Sequence, residues 1–151
     1  MKTVIIFGIF IFVFAQKNFV ENKNEWYAEE FLTGVFVNNL GSHCKLFAKD
    51  GVIKGQYFTK PSRGKLIKDG FPITGSYTKV KDGVLITMNV IFIMEGKNED
   101  GLEMLSHVTW NGKVYKNKNE FKLNWLNTSN QIKEKEWTST LVGQDIFTKK
   151  K

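Results

Sequence analysis

Cysteine, histidine and proline are scarce in this chain, and their scarcity excludes several classes of protein. One Cys, two His and two Pro occur among 151 residues. A single thiol forms no internal disulfide, and one thiol with two imidazoles does not make the usual zinc module. Disulfide-rich mini-proteins and zinc fingers are therefore excluded. Two Pro with 13 Gly also exclude a collagen-like or low-complexity chain.

Long hydrophobic runs are missing too, apart from a short run at the amino terminus. Segment 1–15 has a cationic Lys2, then an apolar run with Ala15 at its end. This run is shorter than the roughly 20 residues of a membrane-spanning helix. The pattern is typical of a secretory signal peptide cleaved before Gln16. We therefore predict a secreted protein with a signal peptide at 1–15, an N-terminal arm at 16–30 and no membrane partner.

Basic residues outnumber acidic ones, but they are not gathered in one segment. The 22 Lys and Arg against 15 Asp and Glu give a formal net charge of +7. Most of the lysines are interspersed with acidic residues, a pattern that a solvated surface explains better than a nucleic-acid site. We therefore expect no nucleic-acid partner.

The chain does contain a series of alternating apolar and polar runs, which is typical of β-strands. Turn-forming pairs such as Asp50-Gly51 and Asp82-Gly83 separate the runs. Eight strands are predicted, at Phe31–Asn38, Ser42–Lys49, Val52–Thr59, Phe71–Lys79, Val84–Met94, Ser106–Tyr115, Glu120–Asn127 and Trp137–Thr148. Such strands can close on themselves around one small ligand. We therefore predict an all-β fold, an eight-stranded antiparallel up-and-down β-barrel over 31–149.

Strand alternation assigns one face of each strand to the barrel interior. That face is mostly apolar and includes Cys44, expected to be a buried thiol, and Leu141. Polar groups on such a face cost free energy unless they are satisfied. They either bond one another or await a ligand, and the spacing leaves both open. The polar members are Asn38, Ser42, Tyr57, Thr59, Ser106 and Asp145.

Ser42, His43 and Asp145 include the residue types of a catalytic triad. Neighbouring strand residues point to opposite faces, so Ser42 and His43 cannot easily share a hydrogen bond. No nucleophile–base pair and no metal-ligand set emerges from the pattern. We therefore expect no enzyme, no catalytic residue, no metal and no cofactor.

Segments in four of the predicted strands resemble the avidin and streptavidin family. They are Leu32–Ser42, Gly55–Thr59, Thr74–Tyr77 and Trp137–Lys149, which match the first, third, fourth and last strands. Their order and spacing are compatible with that family over 32–149. The resemblance implies a barrel that binds biotin without converting it.

The resemblance also implies how the ureido group of biotin is held. Asn38, Ser42 and Tyr57 match residues that donate hydrogen bonds to the ureido oxygen. Asp145 and Thr59 match residues that accept from the two ureido N–H groups. An ionised carboxylate is acceptor-only, which suits that task.

Other matches concern the ring, the acyl chain and the assembly. Trp110 and Trp125 match residues that flank the bicyclic ring of biotin. Ser106 and the loop Lys60–Lys65 lie where the valerate carboxylate is held. Trp137 resembles the tryptophan that a neighbouring subunit contributes to the pocket, which implies a homotetramer.

Three positions depart from the family's pattern. Val90 stands where the family has a ring-stacking tryptophan, Val108 where a threonine lies near the thioether sulfur, and Asn127 where a leucine is usual. Loss of a buried ring removes about 2–4 kcal/mol of binding free energy. Binding weaker than that of the tightest family members is therefore expected. Asn127 also begins a glycosylation sequon, and the sequence leaves its use open.

Two alternative functions remain open. One is an avidin-like oligomeric structural module that has lost high-affinity biotin binding, an alternative motivated by Val90 and Val108. The other is a lipocalin-like carrier of a different apolar ligand, for which Gly34-Val35-Phe36 is only a weak signal. Biotin distinguishes both alternatives from a biotin-binding barrel. A ligand that binds only the native state must raise the melting temperature of the protein.

Overall fold

The computed structural model describes most of the chain from Tyr27 to the carboxyl terminus. The described ranges are 27–59, 70–116, 118–132, 134–135 and 139–151. The predicted signal peptide 1–15, most of the arm 16–30, the loop 60–65 and Trp137 lie outside the described residues. Within the described part, no helix is long and apolar enough to cross a bilayer.

A one-turn helix precedes a closed barrel of eight strands. The helix α1 is Ala28–Leu32, and the strands are β1 Gly34–Asn38, β2 His43–Lys49, β3 Val52–Phe58, β4 Phe71–Val80, β5 Gly83–Lys97, β6 Glu103–Tyr115, β7 Glu120–Ser129 and β8 Thr140–Lys149. Each strand pairs antiparallel with the next, and β8 returns to pair with β1. The predicted eight-stranded antiparallel up-and-down barrel is therefore confirmed.

The alternation of side chains along each strand sorts them between core and surface. In β2 the buried residues Cys44, Leu46 and Ala48 alternate with exposed ones. Rings from three other strands fill the same interior, since Phe36, Phe121 and Phe147 are all buried. The predicted burial of Cys44 is confirmed, and its thiol is free.

Helix α1 covers the end of the predicted arm and the first two residues of the predicted first strand. Leu32 is buried inside the helix, and β1 begins only at Gly34. The φ of Gly34 is 141°, and a Cβ there would lie 2.9 Å from Lys149 Cε. The chain changes direction at Gly34, in a backbone conformation that favours glycine. The first strand therefore begins there and is shorter than the predicted Phe31–Asn38.

Hydrogen bonds hold α1 against one end of the barrel. Glu29 Oε1 accepts the hydroxyl of Tyr77 at 2.8 Å and the backbone N–H of Asp50 at 3.1 Å. Lys149 Nζ donates to the carbonyl of Phe31 at 3.0 Å. These bonds join the helix to the last part of β4, to the turn between β2 and β3, and to the last residue of β8. The helix therefore covers this end of the barrel.

The opposite end of the barrel, here called the far end, is where β1 ends at Asn38 and β8 begins at Thr140. Leu141 lies there, paired with Asn127 of β7. Leu141 shares a strand face with the buried Asp145 and Phe147, as predicted, but its side chain is 60% exposed in the single chain because it lies at the end of the strand. Alternation indicates the side of a strand, but burial also needs neighbours above and below the residue.

The hairpin of β5 and β6 is longer than the sequence predicted. β5 continues to Lys97 and β6 begins at Glu103, where the expected ends were Met94 and Ser106. The side-chain oxygen of Asn98 accepts backbone N–H groups at 3.0 and 2.9 Å and so closes the turn. The two strands therefore project beyond the barrel core at the far end.

Candidate functional site

Asn38 lies at the centre of a buried polar cluster near the far end. Its Nδ2 donates to Tyr57 Oη at 3.2 Å and to Asp145 Oδ2 at 3.4 Å. Its Oδ1 accepts the backbone N–H of Leu40 at 3.1 Å and that of Ser42 at 2.9 Å. Because these two donors hold the oxygen, the amide nitrogen faces the barrel interior. The turn after β1 therefore orients a donor into the cluster.

Asp145 brings a carboxylate into this cluster. It is 4% exposed and accepts Trp110 Nε1 at 2.9 Å and Asn38 Nδ2 at 3.4 Å, both at Oδ2. A buried carboxylate needs such donors, since desolvation penalises its charge. Among the described residues no hydrogen bond reaches Oδ1. This second oxygen can therefore accept from a further N–H donor.

Tyr57 joins the polar cluster to the aromatic wall of the site. Its ring stacks on Trp110 with centroids 5.1 Å apart and planes 24° apart. Its hydroxyl accepts from Asn38 and shares a hydrogen bond with Ser42. Burial raises the pKa of Tyr57, and the charge of Asp145 acts in the same direction, although the Ser42 bond opposes it. The phenol therefore keeps its proton and remains a donor.

Phe92 extends the aromatic wall, although the sequence analysis did not place it among the ligand contacts. Its ring lies edge-on to Tyr57 at 5.5 Å, to Trp110 at 6.5 Å and to Phe71 at 5.1 Å. It is only partly buried. A phenylalanine on the inner face of a strand is read as ordinary core, so alternation alone does not reveal this contact.

The position of the Trp125 ring depends on Gly143, a contact that the sequence analysis did not predict. Trp125 pairs with Trp110 on one side and with Gly143 on the other. A Cβ built at Gly143 would lie 2.6 Å from Cε2 of the Trp125 indole, so the ring lies directly over this backbone. Glycine is required there because any side chain would displace the ring.

Two other predicted contacts, Thr59 and Ser106, have no hydrogen bond to Asp145 among the described residues. Thr59 follows the end of β3 and is partly buried, and Ser106 pairs with Phe92 and Ser129 near the far end. Trp137 lies outside the described residues. Their roles stay predictions.

The three departures from the family's pattern lie in one row across β5, β6 and β7. Val90 pairs with Val108, and Val108 pairs with Asn127. Val90 is 1% and Val108 is 7% exposed, while Asn127 is partly buried. Residues far apart in the chain thus alter one continuous strip of the inner wall, immediately beyond Trp110 and Trp125.

The two histidines do not take part in this site. The imidazole of His43 is exposed and stacks on Phe58 at 4.7 Å, whereas its neighbour Ser42 is buried, so the two side chains lie on opposite faces. His107 is exposed on β6. In the part of the chain that the structure describes, no three His, Cys, Asp or Glu residues are grouped as metal ligands.

Comparison with known proteins relates this geometry to a family. A model of the Avidin family matches residues 27–150, which include α1 and all the strands of the barrel. Among solved structures, the crystal structure of Xenavidin is similar, with a TM-score of 0.62 and 26% sequence identity over 79% of this chain and 97% of that chain. The chain therefore belongs to the avidin family.

Proposed function

We propose that this protein binds biotin non-covalently and does not convert it. The observation that carries the proposal is the cluster of Asn38, Tyr57, Trp110 and Asp145, which is buried and already hydrogen-bonded. A polar cluster beside stacked aromatic rings suits a ligand that is part urea and part apolar ring. Membership of the avidin family supports the same ligand.

The arrangement of donors and acceptors matches a ureido group. In the proposed complex Ser42, Asn38 and Tyr57 donate to the ureido oxygen, and Asn38 exchanges its bond to Tyr57 for the bond to the ligand. Oδ1 of Asp145 accepts from one ureido N–H. Asp145 is held by Trp110 and Asn38, so little orientational freedom is lost when the ligand arrives. Burial strengthens each of these bonds, because the local dielectric is low.

The aromatic residues form the apolar part of the pocket. Trp110, Trp125 and Phe92 flank the bicyclic ring, and Val90 contributes a smaller surface than the tryptophan usual in the family. The missing contact weakens binding by about 2–4 kcal/mol of free energy. We therefore propose an affinity below that of the tightest family members.

The proposal extends to a secreted homotetramer. The outer face of the barrel carries exposed apolar side chains on β5, β7 and β8, namely Ile91 at 59%, Leu126 at 43% and Val142 at 75%. Leu126 and Val142 are directly paired, so they form a continuous apolar surface that a second copy would bury. Trp137 would then contact the pocket of a neighbouring subunit. Secretion rests on the signal-peptide pattern at 1–15.

Calorimetric titration of residues 16–151 with biotin tests the proposal. We expect saturable binding with a single site per chain and a higher melting temperature in the presence of biotin. Asp145→Ala should abolish most of the heat, whereas Thr148→Ala, an exposed residue on the same strand, should leave it unchanged. A dissociation constant above roughly 10 µM, or an unchanged melting temperature, favours the structural module instead.

A further inference from the structure

Positive charge is concentrated on one side of the barrel. The strands β1–β4 contain no Asp, Glu or Arg, and their lysines are Lys45, Lys49, Lys54 and Lys79. Each of the strands β5–β8 instead contains one acidic residue and one lysine, so its charges balance. Because β1–β4 are consecutive in the closed barrel, their unbalanced charge lies on one side of the molecule.

Phe47 lies among three of these lysines on the outside of the barrel. Its side chain is 57% exposed and lies between the exposed residues Lys45 and Lys49 on β2, with Lys54 paired opposite it on β3. Val52, which is 46% exposed, pairs with Lys49. In the described part of the chain no salt bridge reaches these three lysines. We call the surface formed by Lys45, Phe47, Lys49 and Lys54 the basic face.

The side chains of the basic face are close enough to contact one ligand. Residues two apart on a strand are about 7 Å apart, and neighbouring strands are about 5 Å apart. Lys45 and Lys54 are therefore both near neighbours of Phe47. Three ammonium groups without acidic partners raise the local positive potential, which attracts anions.

Neutral polar side chains border the basic face. Gln56 pairs with Lys45 and Thr74 pairs with Lys54, and Ser76 follows on the same face of β4; all three of these polar residues are exposed. Amides and hydroxyls both donate and accept hydrogen bonds. A surface that enters a lipid bilayer is apolar over a wide area instead. The basic face and its border thus present cations, hydrogen-bonding groups and an exposed ring to the same ligand.

The basic face lies away from the surface that the proposed assembly buries. The apolar residues of that surface, Ile91, Leu126 and Val142, are on β5, β7 and β8, whereas the basic face is on β2 and β3. Each copy in an assembly therefore keeps its own basic face accessible. A long ligand that contacts two copies binds more tightly than one that contacts a single copy, because the second contact is intramolecular.

We propose that the basic face binds an acidic polysaccharide, which is a sugar polymer with sulfate or carboxylate groups. Lys45 and Lys54 pair with its anionic groups, and the negative face of the Phe47 ring attracts the C–H groups of a sugar ring. Gln56 and Thr74 bond its hydroxyls. The phosphates of a nucleic acid are suited to bidentate Arg, which β1–β4 lack. This site is separate from the proposed biotin pocket inside the barrel.

Binding of defined polyanions to the mature chain, residues 16–151, tests the proposal. The probes are a heparin fragment with sulfate and carboxylate groups, hyaluronan with carboxylate alone, an oligothymidylate, vesicles containing phosphatidylserine, and neutral dextran. Lys45→Gln/Lys54→Gln removes two charges from the basic face. Lys97→Gln/Lys122→Gln removes the same charge from the balanced strands and is the matched control, because both of its lysines are exposed.

We expect the heparin fragment to bind, and neutral dextran not to bind. Lys45→Gln/Lys54→Gln should raise the dissociation constant for heparin at least about tenfold, whereas the control pair should change it less than about threefold. The double substitution should also lower the slope of log Kd against log salt concentration by about two, and Lys54→Gln alone by about one, because each lysine releases counterions from the polyanion. Phe47→Ser should weaken binding without changing this slope, since it removes no charge.

Several outcomes would overturn the proposal. Equal weakening by the two pairs would show a response to net charge alone. Absence of binding to both heparin and hyaluronan, or tighter binding to the oligothymidylate or the vesicles, would exclude a polysaccharide as the partner. Binding to heparin alone would support the proposal with sulfate as the recognised group, and binding to both would support it with carboxylate. An unchanged melting temperature of each variant shows that its fold is intact, whether or not the protein binds biotin.

Discussion

The indole Nε1 of Trp110 donates a hydrogen bond of 2.9 Å to Oδ2 of Asp145, and this bond joins β6 to β8 across the barrel interior. The same indole stacks on Tyr57 with centroids 5.1 Å apart. One side chain therefore belongs both to the aromatic wall and to the polar cluster. Because Oδ2 is bonded within the chain, the carboxylate has a defined orientation before any ligand is present.

Loss of this bond should weaken biotin binding more than loss of ring area alone. Trp110→Phe keeps an aromatic ring but removes the N–H, and hydrogen bonds to charged groups contribute about 1.5–3 kcal/mol. We expect the dissociation constant for biotin to rise by roughly 10–100-fold in calorimetry. Trp125→Phe is the matched control, since the Trp125 indole makes no hydrogen bond among the described residues. Equal losses in both variants would contradict the role of the N–H.

Gly143 should tolerate no side chain while Trp125 is present. In Gly143→Ala the new methyl group would overlap the Trp125 indole, which must then leave its place. We expect a lower melting temperature and weaker biotin binding, with a destabilisation of about 1–3 kcal/mol by chemical denaturation. Adding Trp125→Phe should restore part of the stability, because the smaller ring leaves space. An additive loss in the double variant would disprove the contact.

Cys44 should be inert in the folded protein. Burial raises the pKa of its thiol to about 12, so the reactive thiolate is scarce at ordinary pH. We expect no reaction with a disulfide reagent at about pH 8 until denaturant is added. The stability that this neutral thiol contributes is complete below its ordinary pKa of 9.0 and is lost as pH rises toward about 12. Cys44→Ala should remove that part of the alkaline loss, and rapid labelling of the native protein would contradict the burial.

The hydrogen bond between Tyr77 and Glu29 should make the stability of α1 fall at acid pH. The hydroxyl of Tyr77, followed by the backbone N–H of Asp50, lowers the pKa of Glu29 below its ordinary value of 4.5. The stabilisation is therefore complete above pH 4.5 and is lost as pH falls through the lowered pKa. Tyr77→Phe should reduce this acid sensitivity, measured as hydrogen exchange in residues 28–32. An unchanged pH profile would show that the bond does not hold the helix.

The apolar outer face should control assembly. Val142 and Leu126 are paired and exposed, so a lysine at Val142 would place a charge within the surface that the proposed tetramer buries. Val142→Lys should lower the molar mass measured by light scattering. Phe47→Lys serves as the control, because Phe47 is 57% exposed on β2, away from β5–β8. If the Val142→Lys variant has the same molar mass as the unsubstituted protein, this face is not the assembly interface.

Strand order and the side of each strand that faces inward are largely readable from the sequence. Alternation correctly places Cys44, Leu46 and Phe36 inside, and turn residues mark most strand ends within a few positions. Alternation also places Asn38, Tyr57 and Asp145 on the inner face, and the structure brings the three into one hydrogen-bonded cluster. These features depend on local spacing, which a single chain displays directly.

Other features depend on contacts between distant strands. Helix α1 replaces the first two residues of the predicted first strand, because Ala28 and Leu32 are buried against the barrel end. The need for glycine at Gly143 follows from the ring of Trp125, and a strand pattern contains no sign of that contact.

By itself, the sequence determined the strands, their inward faces and the residue types available for binding, since these follow from a period of two residues. Only the tertiary structure decided which of those residues meet. The register of β5, β6 and β7 places Val90, Val108 and Asn127 in one row and leaves the Asn127 oxygen without a partner in the described chain. Register arises from pairing between strands that are distant along the chain, and local composition does not encode it.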